Sequence, residues 1–393
     1  MKSKDKVVLL LAVATLLGSC REMEVIFPVK INRLDTPKPD ADVVGFYQLN
    51  EGNMGMNRAS IDYFDITEGL YAADIYSEAN PDAIKELGDV GNDIQVYGDK
   101  VYAVINVSNK VEVLDKHTAK RIAVITIPNC RYIRFNDGKA YVSSYSGAVE
   151  ISPNAERGFV AEIDTVSLQV TRKVTVGHQP EEMVITNNKL YVANSGGYRV
   201  PNYDTTVSVI DLNSFTHAKE IEVAINLHRM AIDKRGMIYV TSRGDYYNIP
   251  GNTYVIDSST DEVVDTLNIP ASQLYMSDDL LYYYSSGFSY ESGYRFSYGI
   301  YDTLNKKVVT DNFITDGTDK KIMMPYGLAV NPETKDIYVS DAQNHIVSGY
   351  IYCFTPDGKM KWRVVAGNIP GHFAFIHRDG KPMDNYKKPT EGF

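Results

Sequence analysis

The sequence predicts an all-β chain: a seven-bladed β-propeller of four-stranded blades, closed by a C-terminal strand that joins the N-terminal blade. Three observations predict it. First, a turn followed by an aliphatic residue and a tyrosine in an extended run recurs seven times: GFYQLN at 45, KVYAVIN at 100, KAYVSS at 139, KLYVANS at 189, MIYVTS at 237, LLYYYSS at 280 and DIYVSD at 336. Second, each phrase is followed by another alternating run (SIDYFD, KVEVLD, FVAEID, TVSVID, NTYVID, SYGIYD, YIYCF), and six of these end in Asp, a natural turn opener. Third, the tyrosines at 47, 102, 141, 191, 239, 282 and 338 are spaced by 39 to 56 residues, the period of a propeller blade.

The remaining strands follow in order. After each Asp turn comes a third run such as RIAVITIP, AKEIEVAI or MKWRVVAG, and ahead of the next tyrosine phrase comes a fourth, such as CRYIRFNDG, EEMVITNN or HRMAIDKRG. The unit is therefore four strands A, B, C and D, with the tyrosine phrase as B. The repeat opens at a B strand (43–50) and ends with a surplus A-like segment (367–380), so residues 367–378 are expected to dock beside residues 43–50 and leave no sheet edge unpaired. No long stretch of 3.6-residue periodicity exists to support a helical solenoid.

The first residues form a separate object. Lys2, Lys4 and Lys6 precede an apolar run from Val7 to Leu17, long enough for a signal h-region and too short to span a bilayer. Leu17-Gly18-Ser19-Cys20 resembles a bacterial lipobox, which makes Cys20 the expected lipidated residue, with lipid the only membrane attachment. The expected organisation is signal peptide 1–19, lipidated Cys and tether 20–42, propeller 43–380 and tail 381–393. Cys130 and Cys353 fall at non-equivalent places in the repeat and are expected to stay separate thiols. A net charge of −10 with no basic cluster argues against nucleic acid as a partner.

In such blades the B–C and D–A connections share one face. Here the B–C loops are long and rich in rings, while the A–B and C–D turns are short and polar. That contrast nominates a ligand-binding face carrying Tyr145, Tyr198, Arg199, Tyr203, Arg243, Tyr246 and Tyr247, together with Phe288, Tyr290, Tyr294 and Phe296 from the loop-like stretch SSGFSYESGYRFS. Arg131, His178, Arg229, Tyr326 and His372 are expected at equivalent places where inner strands begin, around the channel mouth. Glu51, Asn106, Asn194 and Asp341 at the ends of B strands either open turns or hold a cation, and turn opening is the commoner use. No catalytic or nucleotide-binding motif is present, so binding is favoured over catalysis and no cofactor or metal is expected.

The phrases EEMVITNNKLYVANS and VANSGGYRVPNYDTTVSVIDLNS resemble YncE-like seven-bladed propellers. The lipobox, short tether and LNEGNMGMNRASIDYFD together resemble a group of Bacteroidetes surface lipoprotein propellers that includes the cobalamin-capturing BtuG type. The resemblance implies display at the outer membrane and capture of cobalamin or a related corrinoid, handed to a TonB-dependent transporter of BtuB type. A corrinoid is a broad ring system fringed with amides and carrying one phosphate, for which Arg131, Arg199 or Arg243 would serve. Two alternatives from other classes stand beside this reading: a scaffold that docks protein or glycan on the same face, and a metal-dependent lactonase or hydrolase.

Overall fold

The computed structural model describes residues 30–378 apart from 84–85, 149 and 290–292; the signal segment, Cys20, Tyr290 and the tail 381–393 lie outside the described residues. Seven antiparallel sheets follow one another around a ring, each in the order A-B-C-D. Their inner strands are Pro370–His377, Gly91–Tyr97, Cys130–Asn136, Pro180–Thr186, Leu227–Ile232, Ala271–Ser277 and Pro325–Val330, for blades 1 to 7 respectively. Each touches the next, and that of blade 7 touches that of blade 1. The expected closure holds: Val43–Asn50 pairs with Pro370–His377 along its whole length, Val43 opposite His377 and Asn50 opposite Pro370. Among the described residues no helix is long and apolar enough to cross a membrane.

The core has no single centre. Its buried apolar side chains form seven clusters, one in each space between neighbouring blades. The B and C strands are therefore covered on both faces, and they read as nearly continuous apolar runs such as KVYAVI and KLYVAN. The recurrent tyrosine explains itself here. All seven are buried, and each leans on the following blade. Tyr47 donates from its hydroxyl to the carbonyl of Lys116 in the C–D turn of blade 2 (2.7 Å), and Tyr191 donates to Asp261 in that of blade 5 (2.6 Å). Tyr141 meets Phe215 and Tyr102 meets Phe135 by ring contact instead. Successive residues of a strand face opposite sides, so Phe46, beside Tyr47, looks back towards blade 7 and packs on Tyr338 and Phe373.

Three departures from the sequence reading matter for the site. Ile31–Arg33, inside the expected tether, pairs with Leu70–Ala72 as a fifth, outermost strand of blade 1, so the sheet begins earlier than residue 43. The three-residue D strand of that blade leaves an edge short enough for a local segment to cover. The described part of SSGFSYESGYRFS is not an irregular loop: Leu280–Ser289 and Gly293–Asp302 pair continuously up to Ser289 opposite Gly293, extending the B and C strands of blade 6 as a ribbon. Its alternating rings suit strand pairing better than its Ser and Gly suggested. Lastly, the inner strands carry a register shift against strand B near their first residues in every blade, which sets the channel-mouth positions described below. Cys130 and Cys353 are separate buried thiols.

Phe46 sits where the two ends of the chain meet, fully buried among Phe64, Tyr338, Phe373 and Phe375. Phe46→Ala is expected to lower stability by about 3–5 kcal/mol, measured as a reduced urea midpoint; an unchanged midpoint would mean that the closing seam contributes little.

Candidate functional site

The bulge near the start of each inner strand places residues of two consecutive layers at the channel mouth. The residue after the first strand position is Gly371, Asn92, Arg131, Glu181, His228, Ser272 or Tyr326, and the one after that is His372, Asp93, Tyr132, Glu182, Arg229, Gln273 or Gly327. The expectation of a single equivalent ring is corrected on this point. Arg131 and Tyr326 belong to the upper layer and Arg229 and His372 to the lower, while His178 lies two residues ahead of its strand.

Glu181 is the hub of the upper layer. Its carboxylate accepts from Arg131 Nη2 (3.2 Å), Arg243 Nη1 (3.2 Å) and the Tyr145 hydroxyl (2.7 Å), which joins blades 3, 4 and 5. Burial pushes this carboxyl upward, but Arg131, Arg243 and the Tyr145 hydrogen bond outweigh it and hold the group below its ordinary range. Arg131 also lies over the Tyr145 ring at 4.7 Å, and Tyr145 meets Tyr198 edge-on at 6.2 Å. Beneath, Glu182 accepts from Arg229 Nη1 (2.8 Å) and the Met230 amide (2.8 Å), and Arg229 also donates to Tyr132 (3.0 Å). Tyr132 reaches across the axis: its hydroxyl is 3.4 Å from His228 Nε2, and its ring centroid is 6.2 Å from that of His372. It thereby links blade 3 to blades 5 and 1.

His228 is held well below the usual imidazole range, first by burial and then by Arg243, Arg229 and Arg131. On the far side, Tyr326 donates to Glu51 (2.8 Å), and His372 lies 3.8 Å from the same carboxylate. The polar residues ending the B strands are mostly staples for the entering inner strand. Asn194 accepts from Gly177 N (3.1 Å), Asn106 donates to the Cys130 carbonyl (2.9 Å), and Asp341 accepts from the amides of Met323 and Met324 (3.1 and 2.9 Å). Among the described residues no group of three His, Cys, Asp or Glu side chains is placed to hold a metal ion.

Around the hub, two loops present rings to solvent. In blade 5, Asp245 accepts from the amides of Tyr247, Asn248 and Ile249 (2.9, 2.8 and 2.7 Å), a local fold that leaves Tyr246 67% and Tyr247 87% exposed. Gly244 (φ +65°) closes this loop, since a Cβ there would sit 1.9 Å from the Ile249 carbonyl oxygen. In blade 4, Asp204 accepts from the His178 amide (2.6 Å) and from Arg199 Nη1 (2.8 Å), and it lies 2.9 Å from His178 Nδ1. Tyr198 is half-exposed beside them. Tyr203 lies near enough to Tyr246, Asp245 and Tyr247 for their charges to act with burial in raising its hydroxyl.

Tyr198, Arg199, Tyr203, Arg243, Tyr246, Tyr247, Arg131 and His178 therefore gather over blades 3 to 5. Tyr145 and Arg229 are buried supports beneath that surface, and Tyr326 and His372 stand with Glu51 at blades 7 and 1. Phe296 packs into the apolar cluster between blades 6 and 7 and leaves the rim. Phe288 and Tyr294 are described by backbone only, and Tyr290 lies outside the described residues. Sequence reasoning passed over Glu181, Glu182, Tyr132 and Asp204. The pair Glu181-Glu182 at the start of an inner strand was the available signal, because two adjacent carboxylates entering a propeller axis require cationic partners.

A neutral His228 has a testable consequence. Its folded value is depressed, so below about 6.5 the unfolded chain takes up a proton that the folded chain refuses, and stability falls as pH falls. The slope is at most about 1.4 kcal/mol per pH unit for one proton. His228→Gln is expected to flatten urea stability between pH 6.5 and 5, leaving the steeper loss below the ordinary carboxylate range, to which Glu181 contributes.

No curated protein matches the chain. Solved structures that it resembles include a quinonprotein alcohol dehydrogenase-like protein from Bacteroides thetaiotaomicron VPI-5482 (15% identity, 85% of this chain and 78% of that one, TM-score 0.58). A hypothetical selenium-binding protein from Sulfolobus tokodaii is similar over 88% of this chain and 97% of its own at 11% identity (TM-score 0.62). Apo AztD from Citrobacter koseri is similar over 86% of this chain and all of its own, also at 11% identity (TM-score 0.51). At such identities the likeness is one of fold. Residues 44–358 match the family model described as Domain of unknown function (DUF5074), and the chain belongs to that family.

Proposed function

We propose that the protein is a binding protein that captures a ligand on its loop-rich face, and that the ligand is cobalamin or a related corrinoid, passed on to a TonB-dependent outer-membrane transporter by a chain anchored at the cell surface through Cys20. The observation that carries the reading is the joining of exposed rings to fixed cations. Tyr198 stands near Arg131 and Tyr246 near Arg243, with Tyr203 and Tyr247 beside Tyr246, and the two guanidinium groups are held by one carboxylate, Glu181. A broad planar ligand fringed with amides stacks on such rings, and a phosphate on its tail pairs with the more exposed guanidinium, that of Arg243. The corrinoid assignment comes from the resemblance of the lipobox, tether and LNEGNMGMNRASIDYFD to BtuG-type lipoproteins.

Equilibrium titration of residues 21–393 with cyanocobalamin tests this. Saturable binding is expected, and Tyr246→Ala/Tyr247→Ala should raise Kd about tenfold or more, a loss of about 1.4 kcal/mol. Arg243→Ala should weaken cobalamin more than cobinamide lacking the phosphate-bearing tail. No binding at micromolar ligand would remove the corrinoid assignment and leave only a binding face of other specificity.

A further inference from the structure

We propose that the loop-rich face is also the face that meets the lipid bilayer, through an apolar rim on blades 7 and 1 that lies at the membrane surface when Cys20 is acylated. The inference rests on the lipid-anchor reading and adds to it an orientation that the anchor alone does not fix.

Two observations carry it. The first is the direction in which the chain enters. Ile31–Arg33 runs antiparallel to the D strand of blade 1, with Ile31 opposite Ala72, Arg33 opposite Leu70, and the Ala73 amide donating to the Lys30 carbonyl. The D strand climbs from the C–D turn at Asp65 towards the loop-rich face, so Lys30, paired beyond Ala72, stands at the loop-rich end of that outer edge. Cys20 is ten residues before Lys30, an extended reach of about 33–36 Å. An acylated Cys20 would hold Lys30 within that distance of the bilayer.

The second is what stands exposed at that corner. Met54 (62%) and Met56 come from the B–C loop of blade 1, Ile346 (70%) and Val347 from that of blade 7, and Met323 from the connection entering blade 7. They form one patch because their loops are tied together. Asn53 donates to the His345 carbonyl, Asn368 to the Ile346 carbonyl, and the Gly52 amide to the Asn368 carbonyl, while the Met323 amide is held on Asp341. Arg58 is exposed in the same loop and Asp89 accepts from the Gly55 amide between the two methionines, so the corner is apolar without being basic. The same face also exposes Ile151, Val200 and Ile249 in the loops of blades 3 to 5, whereas at the opposite end Val166 and Leu304 stand on turns of separate blades and Met360 opens the D strand of blade 7. With blades 7 and 1 at the bilayer, the ring-bearing sector of blades 3 to 5 overhangs the membrane plane, where a transporter would lie.

The test uses the full lipidated chain in vesicles of phosphatidylethanolamine and phosphatidylglycerol. Single cysteines at Met54→Cys and Ile346→Cys, and at Val166→Cys and Leu304→Cys on the opposite face, are labelled with an environment-sensitive fluorophore. Cys130 and Cys353 are buried, with burial pushing both thiols up, so they stay unlabelled. Blue-shifted emission quenched by doxyl-phospholipid is expected for the Met54 and Ile346 labels and not for the other two. Water-like emission at all four positions, or quenching on the opposite face, overturns the orientation, including the case in which the rim awaits a protein partner. Radiolabelled palmitate incorporation, abolished by Cys20→Ala, separates the two failures: without incorporation the anchor reading falls and the inference with it, whereas incorporation with a wet rim removes the inference alone.

Discussion

Everything in this molecule depends on contact between neighbouring sheets, because no blade covers its own faces. A four-stranded sheet with both faces apolar must find a partner on each side, and a chain of such sheets satisfies the last one only by returning to the first. The seven interblade clusters meet that requirement, and the strand at Pro370–His377 completes it by supplying the inner edge that blade 1 lacks. The repeated tyrosine belongs to this constraint. Its ring fills the gap to the next blade, and in blades 1 and 4 its hydroxyl finds an acceptor in the neighbour's C–D turn, so a large amphipathic side chain is buried with its polar end satisfied.

Ring closure also concentrates charge. Inner strands converge, and groups tens of residues apart in sequence come within hydrogen-bonding distance at the mouth: Arg131, Glu181 and Arg243 are one example, Tyr132, Glu182 and Arg229 another. Buried carboxylates are tolerated there because cations are delivered to them in fixed geometry. The face is consequently stiff at its centre and open at its edge, where Asp204 and Asp245 fold their loops back and leave tyrosines standing in water.

That division suits a capture protein. Rigid arginines under an aromatic rim limit the ordering cost of binding a broad ligand, since neither the rings nor the charges must be assembled on contact. The face is uneven: rings and arginines lie over blades 3 to 5, interspersed with exposed Ile151, Val200 and Ile249, whereas the corner at blades 7 and 1 exposes methionine, isoleucine and valine.

The fold was legible because its signals are local and repeated. Period-2 strands, Asp turns and a tyrosine at each B strand state the blade, and the unmatched strands at the two ends state the closure. Which loops share a face was legible too, since strand alternation alone assigns it. The site was legible only in part. The exposure of Tyr246 and Tyr247 was legible because it follows from loop composition, whereas Tyr145 and Arg229 look the same in sequence and are buried. The ribbon at Leu280–Ser289 and the strand at Ile31–Arg33 were missed because pairing partners, rather than local propensity, make them strands. Periodic patterning in the chain by itself determined the number of blades and the sidedness of the loops. Only the tertiary structure decided which carboxylate meets which guanidinium, because register shifts near the start of each inner strand set the two layers of the mouth, and register is a property of paired strands that no single strand carries.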